Sequence, residues 1–217
     1  MGTLEISGAP RLCGKGYTRC RALAEKEGTL NPTFWSRYRI RFSYLLGILL
    51  IFSAHPRHVL VYFIGLGVAL SGQALRLWSS GVLDKNRYLV QSGPYAIVRH
   101  PLYLGSSLIA FGAVITSSSW HTPFQSAFLW ILCVFFCWRI LGGTAKAEDE
   151  KLRAAFPEDY DAYSRKVPMF LPRRESLALK DCGNFQWSRV KKNKEIKACL
   201  GLLFLALILW TKLIYRL

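Results

Sequence analysis

Acidic side chains are scarce in this 217-residue sequence, which has 13 Asp and Glu against 29 Lys and Arg. The resulting net charge of +16 is typical of proteins that meet nucleic acid, an anionic membrane surface or the cytoplasm through membrane-protein loops. The distribution decides between these contexts, because basic residues crowd the segments between apolar runs and the runs carry very few charges. The charge therefore indicates membrane topology and argues against a nucleic-acid partner.

The sequence also lacks the patterns of several other classes. Its six cysteines include no CxxC pair and no Cys/His spacing of the metal-binding kind, so we expect neither a disulfide scaffold nor a metal site. The alternating strand pattern and crossover helices of a soluble doubly wound sheet are missing. A hydrophobic content of 52% excludes disorder and is high for a soluble domain of this length.

Five apolar runs predict an all-α integral membrane protein with about five transmembrane helices. The runs cover residues 42–54, 59–78, 102–119, 124–141 and 198–215. The first run is short, because a helix needs ~20 residues to cross a bilayer core of ~30 Å. We therefore expect its helix to include Tyr38 and Ile40, or to tilt little. Gly65, Gly67 and Gly72 in the second run predict close helix packing.

Basic residues alternate between the segments that connect these runs. They concentrate in the N-terminal arm, in the 81–100 connector and in the 142–197 segment, whereas the other connectors have few or none. The positive-inside rule places these three segments in the cytoplasm, in a bacterial inner membrane or the endoplasmic reticulum, and we expect no cleavable signal peptide. The predicted organisation is a basic arm (1–41), a membrane core (42–172), a basic linker (173–197) and a C-terminal helix (198–217).

The densest group of unusual residues, 91–105, precedes the third predicted span. Pro101 stands where that helix should begin, a position that proline prefers because its missing N–H would be unpaired there. Arg99 and His100 then lie at a helix N-terminus, whose free N–H groups and partial positive charge suit a carboxylate or phosphate. From spacing alone, an equally good interpretation is that Arg99 meets lipid headgroups and His100 merely caps the helix.

A second group follows the fourth span. Pro157 predicts a break between a helix over 143–156 and a second helix over 158–166. Glu148 and Asp149 lie on the first helix, and adjacent helical residues point about 100° apart, so at most one of them can face a pocket. A carboxylate at the membrane surface suits a cationic ligand, although a solvated helix face also explains this pair.

These motifs together resemble the isoprenylcysteine carboxyl methyltransferase family of integral membrane enzymes, which is related in architecture to the phospholipid methyltransferases. The resemblance covers about residues 65–172 and rests on the linked order of its motifs. These are Gly93-Pro94-Tyr95, Arg99-His100-Pro101-Leu102-Tyr103, Glu148-Asp149, Leu152, Phe156, Tyr160, Tyr163, Val167-Pro168 and Pro172. Leu102, Asp149 and Pro157 depart from the pattern of the eukaryotic enzymes, which leaves the substrate less constrained than the cofactor.

The resemblance implies a pocket for S-adenosylmethionine at the cytoplasmic face, formed by short helices and loops. A lipophilic small molecule or prenylated substrate would enter it from the bilayer. The implied cofactor-binding residues are Tyr95, His100, Pro101, Tyr103, Leu104, Glu148 and Asp149. Arg99, Glu148 and Arg139 are the candidate catalytic residues, with Arg139 or Arg99 steering a substrate carboxylate, although Arg139 at the membrane edge is also suited to snorkelling.

Three alternatives differ in acceptor or in class. A carboxylate acceptor needs no general base, whereas an amine must arrive unprotonated, which favours O-methylation over N-methylation of a phospholipid or another amine. A sterol-reductase-like membrane enzyme would have a similar layout but take NADPH. A scaffold or small transporter is the non-enzymatic alternative, but the sequence shows none of the paired or broken-helix halves that transporters usually have.

Overall fold

The computed structural model describes residues 34–84, 89–173 and 183–215, and these contain helices but no strand. In chain order the helices are α1 (Phe34–Ser53), α2 (Val59–Val82), α3 (Pro94–Ile97), α4 (Pro101–Ser117), α5 (Pro123–Phe135), a π-helical turn (Phe136–Leu141), α6 (Gly142–Ala155), α7 (Pro157–Lys166), α8 (Trp187–Lys192) and α9 (Glu195–Tyr215). The all-helical prediction is therefore confirmed. Most of the predicted basic arm and part of the predicted linker lie outside the described residues.

Within this part of the chain, three helical stretches are long and apolar enough to cross a membrane. They are α2, the continuous stretch Pro123–Ala155 and α9. Helix α4 is also apolar but has 17 residues. Helix α1 has 20 residues and begins ahead of Tyr38, as the short first run requires. The count of five spans and their sidedness stay predictions.

Proline begins four of the described helices. Pro94, Pro101, Pro123 and Pro157 each stand in the first turn of a helix, where a missing N–H costs no hydrogen bond. The predicted helix start at Pro101 and the predicted break at Pro157 are both confirmed. Helix α6 begins and ends one residue earlier than predicted, and α7 begins one residue earlier.

Helices α2 and α4 pack backbone against backbone through glycines. A Cβ atom added to Gly65 would lie 2.6 Å from the carbonyl oxygen of Gly112, and one added to Gly72 would lie 2.7 Å from the carbonyl oxygen of Gly105. Neither space admits a methyl group, so the close packing predicted for Gly65 and Gly72 is confirmed. A Cβ atom added to Gly67 would have no neighbour within 4 Å, and the prediction of close packing there was wrong because this residue faces away from α4.

Helix α9 runs antiparallel to α2 and is held to it by polar contacts. The Tyr62 hydroxyl donates to the carbonyl oxygen of Ala206 at 2.9 Å. Closer to the end of α2 and the start of α9, Gln73 Nε2 donates to Cys199 Sγ at 3.2 Å. Polar groups inside an apolar bundle need such partners. The chain therefore builds its C-terminal helix into the same bundle as the motif-bearing helix α4.

Candidate functional site

The carboxylate of Asp149 on α6 joins three residues from other parts of the chain. Its Oδ2 accepts a hydrogen bond from Arg99 Nη1 at 2.8 Å, and its Oδ1 lies 2.6 Å from His100 Nε2. Tyr160 on α7 donates its hydroxyl hydrogen to the same Oδ1. Because the Arg99 and Asp149 side chains are only 16% and 19% exposed, this shared carboxylate ties the start of α4 to α6 and α7 with little competition from water.

The segment after α7 fixes the backbone of the same two motif residues. The amide of Arg99 donates to the carbonyl oxygen of Pro168 at 2.9 Å, and the amide of His100 donates to that of Met169 at 3.3 Å. A backbone N–H just ahead of a helix has no partner inside that helix. The Val-Pro motif therefore has a structural role, since Pro168 and the following Met169 supply the carbonyl groups that orient Arg99 and His100.

Tyr95 on the short helix α3 brings a buried hydroxyl group to this site. Tyr163 donates to the backbone carbonyl oxygen of Tyr95 at 2.6 Å and so holds α3 in place. The Tyr95 side-chain hydroxyl is buried without a hydrogen-bond partner. Burial raises the pKa of Tyr95 well above its ordinary value, and the nearby Glu148, Tyr163, Tyr103 and Glu195 raise it further.

Tyr160 keeps its proton because of its surroundings. Burial, followed by the hydrogen bond to Asp149 and the charge of that residue, raises the pKa of Tyr160 to about 12. The ring also lies near two guanidinium groups, with Arg99 Cζ and Arg153 Cζ each 5.9 Å from its centroid. A protonated hydroxyl can accept from Arg99 while it donates to Asp149. Tyr160 thus stabilises the Arg99–Asp149 pair and has no spare proton for chemistry near neutral pH.

His100 lies between the two acidic residues. Its Nδ1 is 3.9 Å from Glu148 Oε2, its ring centroid lies 5.6 Å from that of Tyr103, and the residue is 4% exposed. His100 precedes α4 but makes no capping hydrogen bond with its side chain. Its imidazole instead binds Asp149, so the interpretation of His100 as a helix cap alone is wrong. Glu148, with a side chain 49% exposed, is the carboxylate left open to a ligand.

The structure gathers most of the predicted site residues around the start of α4. Those gathered are Tyr95, Arg99, His100, Tyr103, Glu148 and Asp149. Pro101 is fully buried at the first position of α4, and Leu104 is half-buried in the same turn. Arg139 is exposed on the π-helical turn, where its guanidinium lies 5.8 Å from the centroid of the Trp138 ring. The roles of all these residues stay predictions.

Sequence reasoning did not assign a role to two residues that surround this site. Arg76 on α2 forms a buried ion pair with Glu195 on α9, at 2.8 Å between Nη2 and Oε1. The charge of Glu195 also acts on Tyr95. The available signal was Arg76 itself, at the end of the second apolar run, because a charge at that depth in a membrane protein needs a partner. Its partner lies 119 positions away in the sequence, which no local pattern reveals.

The sequence is similar to those of known methyltransferases. A family model described as phospholipid methyltransferase matches residues 43–141. The chain is 30% identical over 102 residues to the protein-S-isoprenylcysteine O-methyltransferase of Schizosaccharomyces pombe, an alignment that covers 47% of this chain and 40% of that protein. Over part of its length the chain is thus similar to phospholipid and isoprenylcysteine methyltransferases. Together with the three apolar helical stretches, this similarity supports a multi-pass membrane protein.

Two bacterial metal-resistance proteins are also similar to this chain. It is 35% identical over 112 residues to the cobalt-zinc-cadmium resistance protein CzcN of Cupriavidus metallidurans, covering 50% of this chain and 47% of that protein. It is 32% identical over 120 residues to the nickel-cobalt-cadmium resistance protein NccN of Alcaligenes xylosoxydans xylosoxydans, covering 51% and 52%. The chain thus spans about half the length of the curated relatives it matches or less. No solved structure matches it.

Proposed function

We propose that this protein is a membrane methyltransferase that uses S-adenosylmethionine and transfers the methyl group to the carboxylate of a lipophilic acceptor, such as an isoprenylcysteine-like molecule. The observations that carry the proposal are the buried, unpartnered hydroxyl of Tyr95 and the half-exposed carboxylate of Glu148 beside the His100 ring. A buried polar group without a partner is rare in proteins and needs an explanation. A polar, cationic ligand between these two residues explains it.

The residues at the site fit this cofactor in charge and hydrogen bonding. Arg99 Nε is a second buried polar atom without a partner, and it can donate to a carboxylate such as that of the cofactor's methionine part. Glu148 offers a negative charge to the sulfonium and ammonium groups. Asp149 is already paired with Arg99, so only one of the adjacent carboxylates is available for a cationic ligand.

Each residue then has a defined task. Tyr95, Tyr103 and Glu148 hold the cofactor, His100 supports Glu148, and Pro101 with Leu104 forms the apolar start of α4 beside them. Bound cofactor supplies an already activated methyl carbon. The protein therefore has to align the acceptor and exclude water, and it has little covalent work to do.

The acceptor is proposed to be a carboxylate because such an acceptor needs no general base, whereas an amine must first lose a proton. Tyr160, whose hydroxyl keeps its own proton, cannot take it. An ionised carboxylate needs no proton removed before it attacks. Arg139 and Arg99 remain the candidates for steering that carboxylate. Changing Arg139 to Ala should raise the apparent KM of an acidic acceptor and leave that of a neutral lipid unchanged.

The purified protein in lipid nanodiscs should be incubated with methyl-labelled S-adenosylmethionine and either a prenylcysteine acid or phosphatidylethanolamine. We expect label in the prenylcysteine product, and mild base should release it as methanol because the product is a methyl ester. Glu148→Gln should lower the initial rate at least about tenfold, since a charged hydrogen bond contributes roughly 1.5–3 kcal/mol. Glu150→Gln, an exposed site on the same helix, is the matched control and should retain the parent rate.

A second candidate acceptor is the amine headgroup of a phospholipid. The description of the matching family model as phospholipid methyltransferase favours it. In the same experiment, base-stable label in phosphatidylethanolamine would replace the carboxylate proposal with this one. Label in neither acceptor nor in a total lipid extract would contradict methyl transfer altogether.

A further inference from the structure

Arg76 and Glu195 form the most extensively bonded ion pair of the described residues. Arg76 Nε lies 3.1 Å from Glu195 Oε2, and Arg76 Nη2 lies 2.8 Å and 3.0 Å from Oε1 and Oε2. Glu195 is 6% exposed. Such a two-pronged pair fixes both position and orientation, since the planar guanidinium matches the carboxylate. The pair therefore locks the first turn of α9 to the end of α2.

The same guanidinium reaches the first turns of α4. Arg76 Nη1 donates to the hydroxyl of Ser106 and lies 3.5 Å from the carbonyl oxygen of Leu102. Its stem passes over Gly105, where an added Cβ would lie 2.6 Å from Arg76 Cγ. Leu102 follows the Arg99-His100-Pro101 motif directly. Arg76 thus contacts the segment whose placement sets where His100 and Tyr103 point.

The pair is also close to the site itself. Tyr103, which lies beside the His100 ring, is the residue after Leu102. The charge of Glu195 is also one of the causes that raise the pKa of Tyr95. The match to the phospholipid methyltransferase family ends at residue 141, and α9 therefore lies beyond the matched part of the chain.

We infer that Arg76 and Glu195 act as a positioning pair for the methyltransferase site: through this pair, α9 sets the start of α4 and thereby the geometry of cofactor binding. The inference rests on the proposed function. Neither residue is a catalytic residue, because each guanidinium nitrogen of Arg76 already has a protein partner. Loss of the pair should therefore weaken cofactor binding without removing a ligand group.

The test measures the dissociation constant of S-adenosylhomocysteine by calorimetry on the full-length protein in nanodiscs. Arg76→Gln and Glu195→Gln should each weaken binding about tenfold, since misplacing a site by a fraction of an ångström to 1 Å costs up to roughly 100-fold. The double variant should be no weaker than the single variants, because the residues act as one unit. Glu195→Asp, which keeps the charge, should return to within about threefold of the parent.

The control separates positioning from general stability. Lys212 anchors the far end of α9, where its Nζ donates to the carbonyl oxygen of Ala54 at 3.1 Å. Lys212→Met should lower the unfolding temperature and leave the dissociation constant unchanged. Dissociation constants are compared for the fraction of each protein that is able to bind. If Arg76→Gln does not fold, the isosteric variant Glu195→Gln provides the test.

Three results would overturn the inference. Parent-like affinity in Glu195→Gln shows that the pair does not position the site, whereas the proposed function survives. Equal weakening by Lys212→Met shows that α9 acts only through stability. A parent protein that does not bind S-adenosylhomocysteine overturns the proposed function, and the inference with it.

Discussion

His100 Nε2 donates a hydrogen bond to Asp149 Oδ1 at 2.6 Å. Because an ionised carboxylate can only accept, His100 Nε2 carries a proton in this contact, while Nδ1 lies 3.9 Å from Glu148 Oε2. Asp149 thereby fixes the orientation of the His100 ring. The two adjacent acidic residues therefore differ: Asp149 holds the site together, whereas the Glu148 carboxylate remains accessible to a ligand.

Asp149→Asn should destabilise the protein by about 2–3 kcal/mol, since it removes a poorly exposed charge from Arg99, His100 and Tyr160 at once. Thermal unfolding in detergent without cofactor measures this loss. Asp161→Asn is the control, because Asp161 pairs with Arg153 at 3.0 Å while both side chains are at least half exposed. That change should cost less than about 0.5 kcal/mol. Equal costs for the two variants would contradict the role assigned to Asp149.

The raised pKa of Tyr160 predicts a pH dependence of stability. The pKa is about 12 in the folded protein and about 10 in the unfolded chain. The folded state thus binds this proton more tightly, so its contribution is complete below about pH 10 and is lost as the pH rises toward 12. The stability difference between the parent and Tyr160→Phe should stay constant from about pH 8 and shrink above about pH 10. A stability difference that grows as the pH rises would contradict a raised pKa of Tyr160 in the folded protein.

The glycine contact between α2 and α4 predicts a position-specific cost. Gly72→Ala places a methyl group 2.7 Å from the carbonyl oxygen of Gly105 and should destabilise the protein by about 1–3 kcal/mol. Gly67→Ala, on the same helix with nothing within 4 Å, should be neutral or slightly stabilising. Denaturation of both variants tests this, and a stable Gly72→Ala protein would rule out the close approach.

Tyr163 predicts an effect on binding that exceeds its effect on stability. Tyr163→Phe removes the hydrogen bond to the carbonyl oxygen of Tyr95 at 2.6 Å, which should cost about 1 kcal/mol of stability. It also frees α3, so the affinity for S-adenosylhomocysteine should fall more than about threefold because the Tyr95 hydroxyl is no longer held. Calorimetry of Tyr163→Phe checks this, with Tyr215→Phe at the exposed end of α9 as the control. Unchanged affinity of Tyr163→Phe would show that the position of α3 does not affect cofactor binding.

The helices could be predicted from the sequence because their signals are local. Proline at Pro101 and Pro157 marks helix starts whatever the surrounding fold does, and apolar runs mark α2 and α9 by length alone. The π-helical turn at Phe136–Leu141 has no such signal. A π-helical turn changes the angular relation between residues before and after it, and the faces presented by Glu148 and Asp149 therefore could not be read from the fourth run alone.

The candidate site was predictable only in part for the same reason. Motif order predicts His100, Tyr103 and Glu148 as site residues. The hydrogen bond between Tyr160 and Asp149 and the ion pair of Arg76 and Glu195 depend on packing between distant segments. The local sequence does not show which acidic side chain pairs with which basic side chain. The adjacent acidic residues show this most clearly, since only the fold reveals that Asp149 is the paired one.

Calorimetric titration of the purified parent protein with S-adenosylhomocysteine tests the central claim most directly, with NADPH titrated in parallel. We predict saturable binding of S-adenosylhomocysteine and none of NADPH, with the affinity reduced at least about fivefold by Tyr95→Phe and tenfold by Glu148→Gln, while Glu150→Gln binds like the parent. Binding of NADPH without S-adenosylhomocysteine, or parent-like affinity in both site variants, would contradict the account.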